Sequence, residues 1–453
     1  MKTILTALAS ALVLAGCATM DVGGQPADVS TLVPATVGTQ AIDGALDLPS
    51  GTALAWRDMI ADPALKTAVE LALLNNRDLR VAALNIEATR AQYGIQSANV
   101  GPTVNAGATA TAGSTEAATV SLGIAAWELD LWGRLSSLKG AALSTFMASE
   151  QTRDSVQASL VVSVAQAWLT LDADQQKRDL TEKTLQSRQR SLELIGRRHD
   201  LGAASALEVA TAQAAVETAR GDLATLQAQV AQDLNGLRLL VGTELPAHVL
   251  PITRAADAVQ LVGVPAGLSS TVLLQRPDVR SAEHALQAGR ANVAAARAAR
   301  FPTLRLTTAL GRSSSDLGSL FSAGTGVWSF MPSLSLPIFD GGASRLAEEA
   351  AQVQQQVLLA NYDKAIQTAF KETADAMVVR ESLATRLQAQ EALQAAYAET
   401  LRLVLARQQA GVETATAVLD AQRSLYAAQQ GLIGLRLSEQ VNRLTLYKVL
   451  GGR

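Results

Sequence analysis

The side chains that most often carry metal or nucleophilic chemistry are few in this chain. A single cysteine, Cys17, excludes a disulfide within the chain and a cysteine-based zinc site. The histidines, His199, His248 and His284, lack the second ligand that a HExxH-type helix places one turn away. No GxxxxGK[ST] phosphate loop and no GxSxG elbow occurs. The pattern predicts a protein that is not an enzyme. It leaves the Cys17 thiol as the side chain for which a covalent modification can be predicted.

Cys17 lies at the end of an apolar leader. Lys2 supplies a positive charge, and residues 3–16 form an apolar run that is too short to span a bilayer as a stable helix. The run ends in Leu14-Ala15-Gly16-Cys17, which resembles the bacterial lipobox. This resemblance implies a cleaved signal peptide at 1–16 and a covalent lipid on Cys17, with Ala18 compatible with sorting to the outer membrane. An ordinary signal peptide with a chance cysteine is the alternative. No other cofactor and no metal is predicted.

The remaining composition favours long helices. The chain has 453 residues and a formal charge of −3, so nothing suggests a nucleic-acid partner. Aromatic residues make up 4%, which suits an alanine-rich helix seam better than a compact globular core. After Cys17, no run of about 18 apolar residues predicts a transmembrane helix. We therefore expect lipid, β-strands or both to hold the chain at a membrane.

An internal duplication organises the body of the chain. Asn76-Arg77-Asp78-Leu79-Arg80 matches Arg276-Pro277-Asp278-Val279-Arg280 at an offset of 200. Arg198, Gly202 and Gly242 match Arg407, Gly411 and Gly451 at an offset of 209. We expect an extended, lipidated tether at 17–60, a first repeat at 61–242, a linker at 243–267 and a second repeat at 268–453.

Each repeat begins with the same predicted elements. A helix of about 35 residues, at 62–100 and 268–300, ends at Pro102 and Pro302 because proline disfavours helix in the residue before it. Two short strands follow. Their period-two alternation is clear at 303–310 and 328–338, present at 120–124 and weak at 103–112.

Very long helices come next in both repeats. From Ala343 to Ala410 there is neither glycine nor proline, which predicts roughly 100 Å of helix. The counterpart runs from Arg134 to about Leu201, and a returning helix of about 35 residues follows each. Helices this long are expected to pack as coiled coils. A seam with spacings of four, four, three and four supports this packing: Val156, Leu160, Val164, Ala167 and Leu171.

Four strands per chain cannot close a barrel, because about eight is the smallest number that does. An open sheet with an apolar face would leave its edges exposed. Oligomerisation solves this problem, and the physics alone allows two copies with eight strands or three copies with twelve.

Several local motifs carry a family resemblance over nearly the whole mature length. The chain is similar to the outer-membrane factors of tripartite efflux pumps, the OprM- and NodT-like efflux lipoproteins of the TolC superfamily. The motifs are the helix starts Asn75-Asn76-Arg77-Asp78-Leu79 and Arg276-Pro277-Asp278-Val279, the strand-to-helix junctions Asp130-Leu131-Trp132-Gly133-Arg134 and Leu336-Pro337-Ile338-Phe339-Asp340-Gly341-Gly342, and Leu419-Asp420-Ala421-Gln422-Arg423 near the last helix start.

The resemblance implies an α+β membrane protein. Three chains would form a homotrimer with a twelve-stranded β-barrel in the outer membrane, continuing into a long α-helical coiled-coil barrel in the periplasm. The implied function is a passive exit duct for drugs or other toxic small molecules. The implied partners are a periplasmic adaptor (membrane fusion protein) and an inner-membrane resistance-nodulation-division transporter. Such a transporter would supply the energy that a chain without a nucleotide site cannot.

Three alternatives remain open at this point. Within the fold, the duct could serve type I protein secretion or heavy-metal efflux, although the six methionines are scattered without paired spacing. Outside the fold, the chain could be a structural coiled-coil lipoprotein that links membrane and cell wall. The strand pairs and their abrupt entry into helices argue against that last reading.

Two groups of residues are candidate functional sites. Ser205 and Thr414 are placed to cap the returning helices after Gly202 and Gly411, with Glu208 completing a capping box after Ser205. By resemblance, the turns at 197–205 and 407–414 dock the adaptor.

The resemblance also places a periplasmic gate at the start of the last helix. Asp420 is the implied constriction, with Thr416 one turn earlier and Arg423 three residues later. The matching position in the first repeat is Thr211. A surface pair between Asp420 and Arg423 is the alternative.

Overall fold

The computed structural model describes residues 29–38, 41–43, 55–112, 116–251 and 258–452. The predicted signal peptide and Cys17 lie outside the described residues. The described chain divides into two units. One contains residues 87–148 and 282–363, and the other contains 29–86, 149–281 and 364–452.

The two repeats share an order of helix, two strands, very long helix and returning helix. In the first repeat these are α3 (Pro63–Asn75), α4 (Arg77–Ala98), β2 (Val104–Thr111), β3 (Ala117–Leu129), α5 (Arg134–Asp200) and α6 (Ala206–Val241). In the second they are α7 (Pro277–Ala298), β5 (Thr303–Ser314), β6 (Gly326–Ser335), α8 (Ala343–Gln409) and α9 (Ala415–Val449). Short elements precede and join them: α1 (Val29–Leu32), β1 (Thr36–Val37), α2 (Trp56–Met59), β4 (Leu268–Ser269) and 3₁₀ turns at Ala247–Val249, Ser270–Gln275 and Leu317–Ser319.

The first helix of each repeat differs from the prediction. Instead of one helix of about 35 residues, the chain breaks at Asn76 and at Arg276, where ψ is 134° and 137°. The Asn76 side chain stabilises the break, since it accepts from Leu79 N–H (2.9 Å) and donates to Leu240 O (2.8 Å). In the second repeat Pro277 imposes the extended conformation on the residue before it.

The predicted tether at 17–60 is wrong for the part that the structure describes. Thr36 and Val37 pair with Ser269 and Leu268, and Ile42 bridges to Val264. Trp56, Met59 and Ile60 are buried. These residues therefore pack on the body, because their apolar side chains gain more from burial than an extended segment would allow.

In the unit that holds the sheet, four antiparallel strands lie in the order β2-β3-β5-β6. Within the described chain β6 lies at one edge of this sheet, and Pro332 in its middle lacks the backbone N–H of an ordinary strand residue. Beyond Ser335 the predicted strand does not continue, so Leu336 and Ile338 lie outside it. Pro337 accounts for the end, since it removes a backbone donor.

In the helical unit, the predicted seam of α5 is buried or half-buried at all five positions. Trp168 lies within the same stretch, fully buried, and its indole donates to Val249 O (2.9 Å). Among the described helices, α5 contains the one stretch apolar enough to be a candidate membrane span, and 61% of that stretch is buried inside the protein. Such burial is typical of a packed helix.

Candidate functional site

The two faces of the sheet differ in chemistry. One face, called the apolar face below, is exposed or half-buried and rich in large side chains: Val104, Val120, Leu122, Ile124, Leu304, Leu306, Leu310, Trp328, Phe330 and Leu334. Trp328 is 77% exposed and Leu310 is 70% exposed. The opposite face, called the small-residue face, carries mainly Gly, Ala, Ser and Thr. An exposed apolar sheet face with a small, polar reverse is the pattern of a strand set that meets lipid on one side and water on the other.

A β-bulge keeps the large side chains at the end of β3 on the apolar face. Between Ile124 and Trp127 the register shifts, and Ala126 adopts φ 50° while its N–H donates to Thr307 Oγ1 (3.2 Å). Without the extra residue, Trp127 and Leu129 would turn to the small-residue face, because side chains alternate along a strand. The bulge therefore returns both to the apolar face, opposite Leu306 and Leu304.

An aspartate caps the long helix at each strand-to-helix junction. Asp130 accepts from the N–H groups of Leu135 (2.9 Å) and Ser136 (2.8 Å) and from the Ser136 hydroxyl (2.7 Å). Burial raises its pKa, but these hydrogen bonds outweigh burial and hold the pKa below its usual value. Gly133, at φ 74°, supplies the backbone bend.

The second junction repeats this design with different residues. Asp340 accepts from the N–H groups of Gly342 and Ser344 (both 2.9 Å) and from the Ser344 hydroxyl. The hydroxyl bond and the two N–H bonds lower the pKa of Asp340 to about 2. Both aspartates thus remain charged at neutral pH, where they stabilise helix starts that the sequence motifs marked as junctions.

The two turns between long and returning helices have the same backbone. In the first, Ala203 N–H donates to Arg198 O (2.7 Å) and Gly202 N–H donates to His199 O (2.8 Å). In the second, the equivalent bonds run from Val412 to Arg407 and from Gly411 to Gln408, both at 3.0 Å. Each is a Schellman motif, with Gly202 at φ 73° and Gly411 at φ 77°.

Both predicted helix caps are present. Ser205 Oγ accepts from Glu208 N–H (3.2 Å), and the Glu208 carboxylate accepts from Ser205 N–H (2.7 Å), which makes a complete capping box. Thr414 Oγ1 accepts from Ala417 N–H (3.2 Å). Sequence reasoning missed the exposed apolar side chains at these turns: Leu201 is 84% exposed and Val412 is 64% exposed.

The predicted gate residues share one exposed side of α9. Asp420 and Arg423 form a 3.0 Å ion pair, with side chains 58% and 74% exposed, and Thr416 is exposed one turn earlier. The opposite side of α9 packs against α5 and α6 through Ala415, Ile195 and Ala212. The structure brings the three residues together on a surface and leaves their role as a gate a prediction.

A second polar cluster behind the gate residues was also missed. Buried Arg188 of α5 donates to Ala215 O of α6 (2.9 Å) and lies over the ring of Tyr426 of α9, 5.6 Å from its centre. The Tyr426 hydroxyl bonds Thr181 at 2.7 Å. These contacts join three helices and fix the rotation of α9 that exposes Asp420. Arg188 itself was the signal, and the sequence does not distinguish it from the exposed arginines of the same helix.

Comparison with known proteins agrees with this geometry. The model of the outer membrane efflux protein family matches residues 68–243 and again 268–452. The chain belongs to this family. It is 43% identical to the antibiotic efflux pump outer membrane protein ArpC of Pseudomonas putida, over 100% of this chain and 96% of that protein. It is 39% identical to the cation efflux system protein CusC of Escherichia coli K12, over 88% of each.

Solved structures show the same fold. The open state of the Neisseria gonorrhoeae MtrE outer membrane channel superposes with a TM-score of 0.87 at 36% identity, covering 96% of this chain and 98% of that one. The chain is therefore an outer-membrane efflux channel, an exit duct rather than a member of an enzyme family. The cation-efflux relative is no more similar than the antibiotic-efflux relative, so heavy-metal export is not the better reading.

Proposed function

We propose that three copies of this chain close into a twelve-stranded β-barrel that continues into a coiled-coil barrel of the long helices. The observation that carries this is the sheet: within the described chain, β2 and β6 each pair with one strand only and form its two edges. The exposed apolar face needs lipid, and a lipid-facing sheet cannot keep open edges. Pairing β6 of one copy with β2 of the next satisfies both edges.

The strand count favours three copies over two. An eight-stranded barrel is just wide enough for side chains to fill, whereas a duct needs an open interior. The small-residue face is suited to line that interior, since its Gly, Ser and Thr side chains occupy little space. Detergent-extracted protein should be a heat-modifiable trimer with both sheet and helix signals. A stable monomer or dimer in sedimentation measurements would contradict the proposal.

The cargo we propose is small toxic organic compounds rather than proteins or metal ions. Relatives named for antibiotic and toluene efflux match this chain at 43% and 42% identity over its full length. A strain lacking the gene should become sensitive to solvents and antibiotics, and the cloned gene should restore resistance. Restored tolerance of copper or silver alone would favour the metal alternative, and restored secretion of a protein would favour type I export.

The partners that we propose are a periplasmic adaptor and a resistance-nodulation-division transporter. The turns at Gly202, Ser205, Gly411 and Thr414 would form the docking surface, since they expose Leu201 and Val412 to a partner. Mild cross-linking followed by mass spectrometry should recover both partners. Recovery of a transporter driven by ATP hydrolysis would overturn the assignment of the transporter class.

Cys17, outside the described residues, is proposed to carry a diacylglyceryl group on its sulfur and an acyl chain on its amino group. These chains would add to the membrane affinity that the barrel supplies. Mass spectrometry of the mature amino terminus tests this, and an unmodified Cys17 would refute it. Cys17→Ser should impair processing of the signal peptide.

A further inference from the structure

The small-residue face of the sheet carries a charged cluster where the strands approach the long helices. Arg305 of β5 lies directly opposite Glu128 of β3 and Ser333 of β6, and paired residues in a sheet point to the same face. Its neighbours on this face along β5 are Thr303 and Thr307. Arg305 therefore projects from the side of the sheet opposite the apolar face.

The charges in this cluster are unequally compensated. Arg134 binds both oxygens of Glu128, with Nε at 2.8 Å and Nη2 at 2.9 Å. Arg305 Nη2 lies 4.0 Å from Glu128 Oε2, and its side chain is 54% exposed, against 14% for Glu128. The nearby Asp130 carboxylate is bonded to the start of α5. Glu128 pairs mainly with Arg134, and Asp130 is held at the positive end of α5, so Arg305 is the most exposed charge of the cluster.

The other arginine of β5 has a different position. Arg312 lies on the side of the apolar face, and its guanidinium donates to Phe321 O and Ser322 O (both 2.9 Å) in the loop before β6. Its charge is therefore directed at loop carbonyls. The contrast gives a matched control: two arginines on one strand, on opposite faces, of which only Arg305 faces the small residues.

We propose that Arg305 is a specificity-determining residue that places a ring of positive charge inside the duct and favours anionic over cationic solutes there. The inference rests on the proposed trimeric barrel with the small-residue face inward. Rings of arginine or lysine favour anions by simple electrostatics. The narrow, low-dielectric wall of a barrel strengthens the effect.

The test uses a cysteine reporter in the full-length trimer reconstituted in liposomes. Ser333→Cys places a thiol directly across from Arg305, and the protein with only the native Cys17 gives the background. The rates of reaction with the anionic reagent sulfonatoethyl methanethiosulfonate and the cationic reagent trimethylammonioethyl methanethiosulfonate are compared. Arg305→Gln should lower the anionic-to-cationic rate ratio about threefold or more, and Arg305→Lys should preserve it.

Three controls make the result decisive. Ser329 lies on the same face, about 13 Å from Ser333 along β6, which is more than a Debye length. The rate ratio measured at Ser329→Cys should therefore change much less when Arg305 is replaced. Arg312→Gln should leave the Ser333→Cys ratio unchanged. Leu334→Cys, on the apolar face, should be protected by lipid.

The outcomes separate this inference from the proposed function. If Leu334→Cys is protected but Arg305→Gln leaves the ratio unchanged, or if Arg312→Gln changes it equally, the role of Arg305 is refuted while the barrel stands. If Leu334→Cys reacts as fast as Ser333→Cys, the orientation of the sheet fails, and both proposals fail with it.

Discussion

The first and second repeats end their long helices with the same turn, yet they cap the next helix differently. Both turns place a glycine at positive φ and close with the same pair of backbone hydrogen bonds. Ser205 belongs to a reciprocal capping box with Glu208, whereas Ala417 stands at the Glu208 position in the second repeat, where Glu413 instead accepts from Thr414 N–H (3.3 Å). The two turns therefore satisfy the same N–H group with different glutamates: Glu208 lies within the helix, whereas Glu413 lies before it and pairs with Arg407 (3.1 Å).

The surfaces next to these turns differ more than the backbones. Leu207, 76% exposed, stands where the second repeat has Thr416, and Thr211 stands where it has Asp420. The ion pair of Asp420 with Arg423 has no counterpart, because Ala214 occupies the Arg423 position. Glycine and backbone hydrogen bonds preserve the turn, while side chains that do not shape it have diverged. A functional difference between the repeats is expected on this surface.

The largest effect should come from breaking either turn. Bulky substitutions, Gly202→Trp or Gly411→Trp, should abolish efflux while trimer and membrane insertion remain intact. Space is open around both glycines, but positive φ strains any other residue. Resistance should fall to the level of a strain lacking the gene.

Gly221→Trp is the control, since Gly221 also has open space but an ordinary helical backbone. Trimer content is measured on unheated gels of the same membranes. Loss of the trimer in the turn variants would mean that the turns are structural and do not dock a partner.

Of the two matched positions, only Asp420, the predicted gate residue of the second repeat, should affect channel behaviour. Three copies of Asp420 around a threefold axis would repel one another and bind cations. Asp420→Ala should raise open probability or conductance of single channels in a bilayer and weaken block by divalent cations about threefold or more. Thr211→Ala, at the matching position of the first repeat, should change neither. Unchanged conductance and block in Asp420→Ala would remove this residue from the gate.

A smaller effect should distinguish the two caps. Ser205→Ala removes the hydroxyl of the capping box. It should lower the local stability of the first turn by about 1 kcal/mol, which corresponds to about fivefold faster amide exchange at the start of α6. Thr414→Ala should have the smaller effect, because the Thr414 hydroxyl only accepts from Ala417 N–H, whereas the Ser205 hydroxyl also donates to the Glu208 carboxylate (3.1 Å). Hydrogen exchange with mass spectrometry measures both. Equal acceleration at the two turns would show that the bond from the Ser205 hydroxyl to Glu208 adds no stability.

The smallest effect concerns pH and the first turn. The backbone N–H of Ser205 and then its hydroxyl lower the pKa of Glu208 below 4.5. Because the folded pKa is depressed, the stabilisation is present above pH 4.5 and is lost as pH falls through the lowered value. Exchange protection at the start of α6, corrected for intrinsic rates, should therefore fall below pH 4.5. Glu208→Gln should make this protection independent of pH below 4.5. A pH profile that is the same in this variant as in the wild type would refute the stabilising role of Glu208.

Part of the fold followed from local pattern. The absence of glycine and proline after Ala343 predicted a helix to Ala410, and α8 runs to Gln409. Ser205 and Thr414 were placed correctly as caps because capping depends on residues within one turn. The same reasoning failed at Asn76, where the helix breaks through a bond to Leu240, which lies far along the chain.

By itself, the sequence determined the elements, their duplication and the family, because periodicity, turn glycines and junction motifs act over a few residues. Only the tertiary structure decided which charges meet. The bulge at Ala126 reverses the alternation of β3, and the two consecutive alanines at 125 and 126 do not predict a bulge. That reversal brings Glu128 opposite Arg305, 177 residues away in sequence. The positions of charged groups on the small-residue face therefore depend on strand register, which long-range pairing sets and local propensity does not.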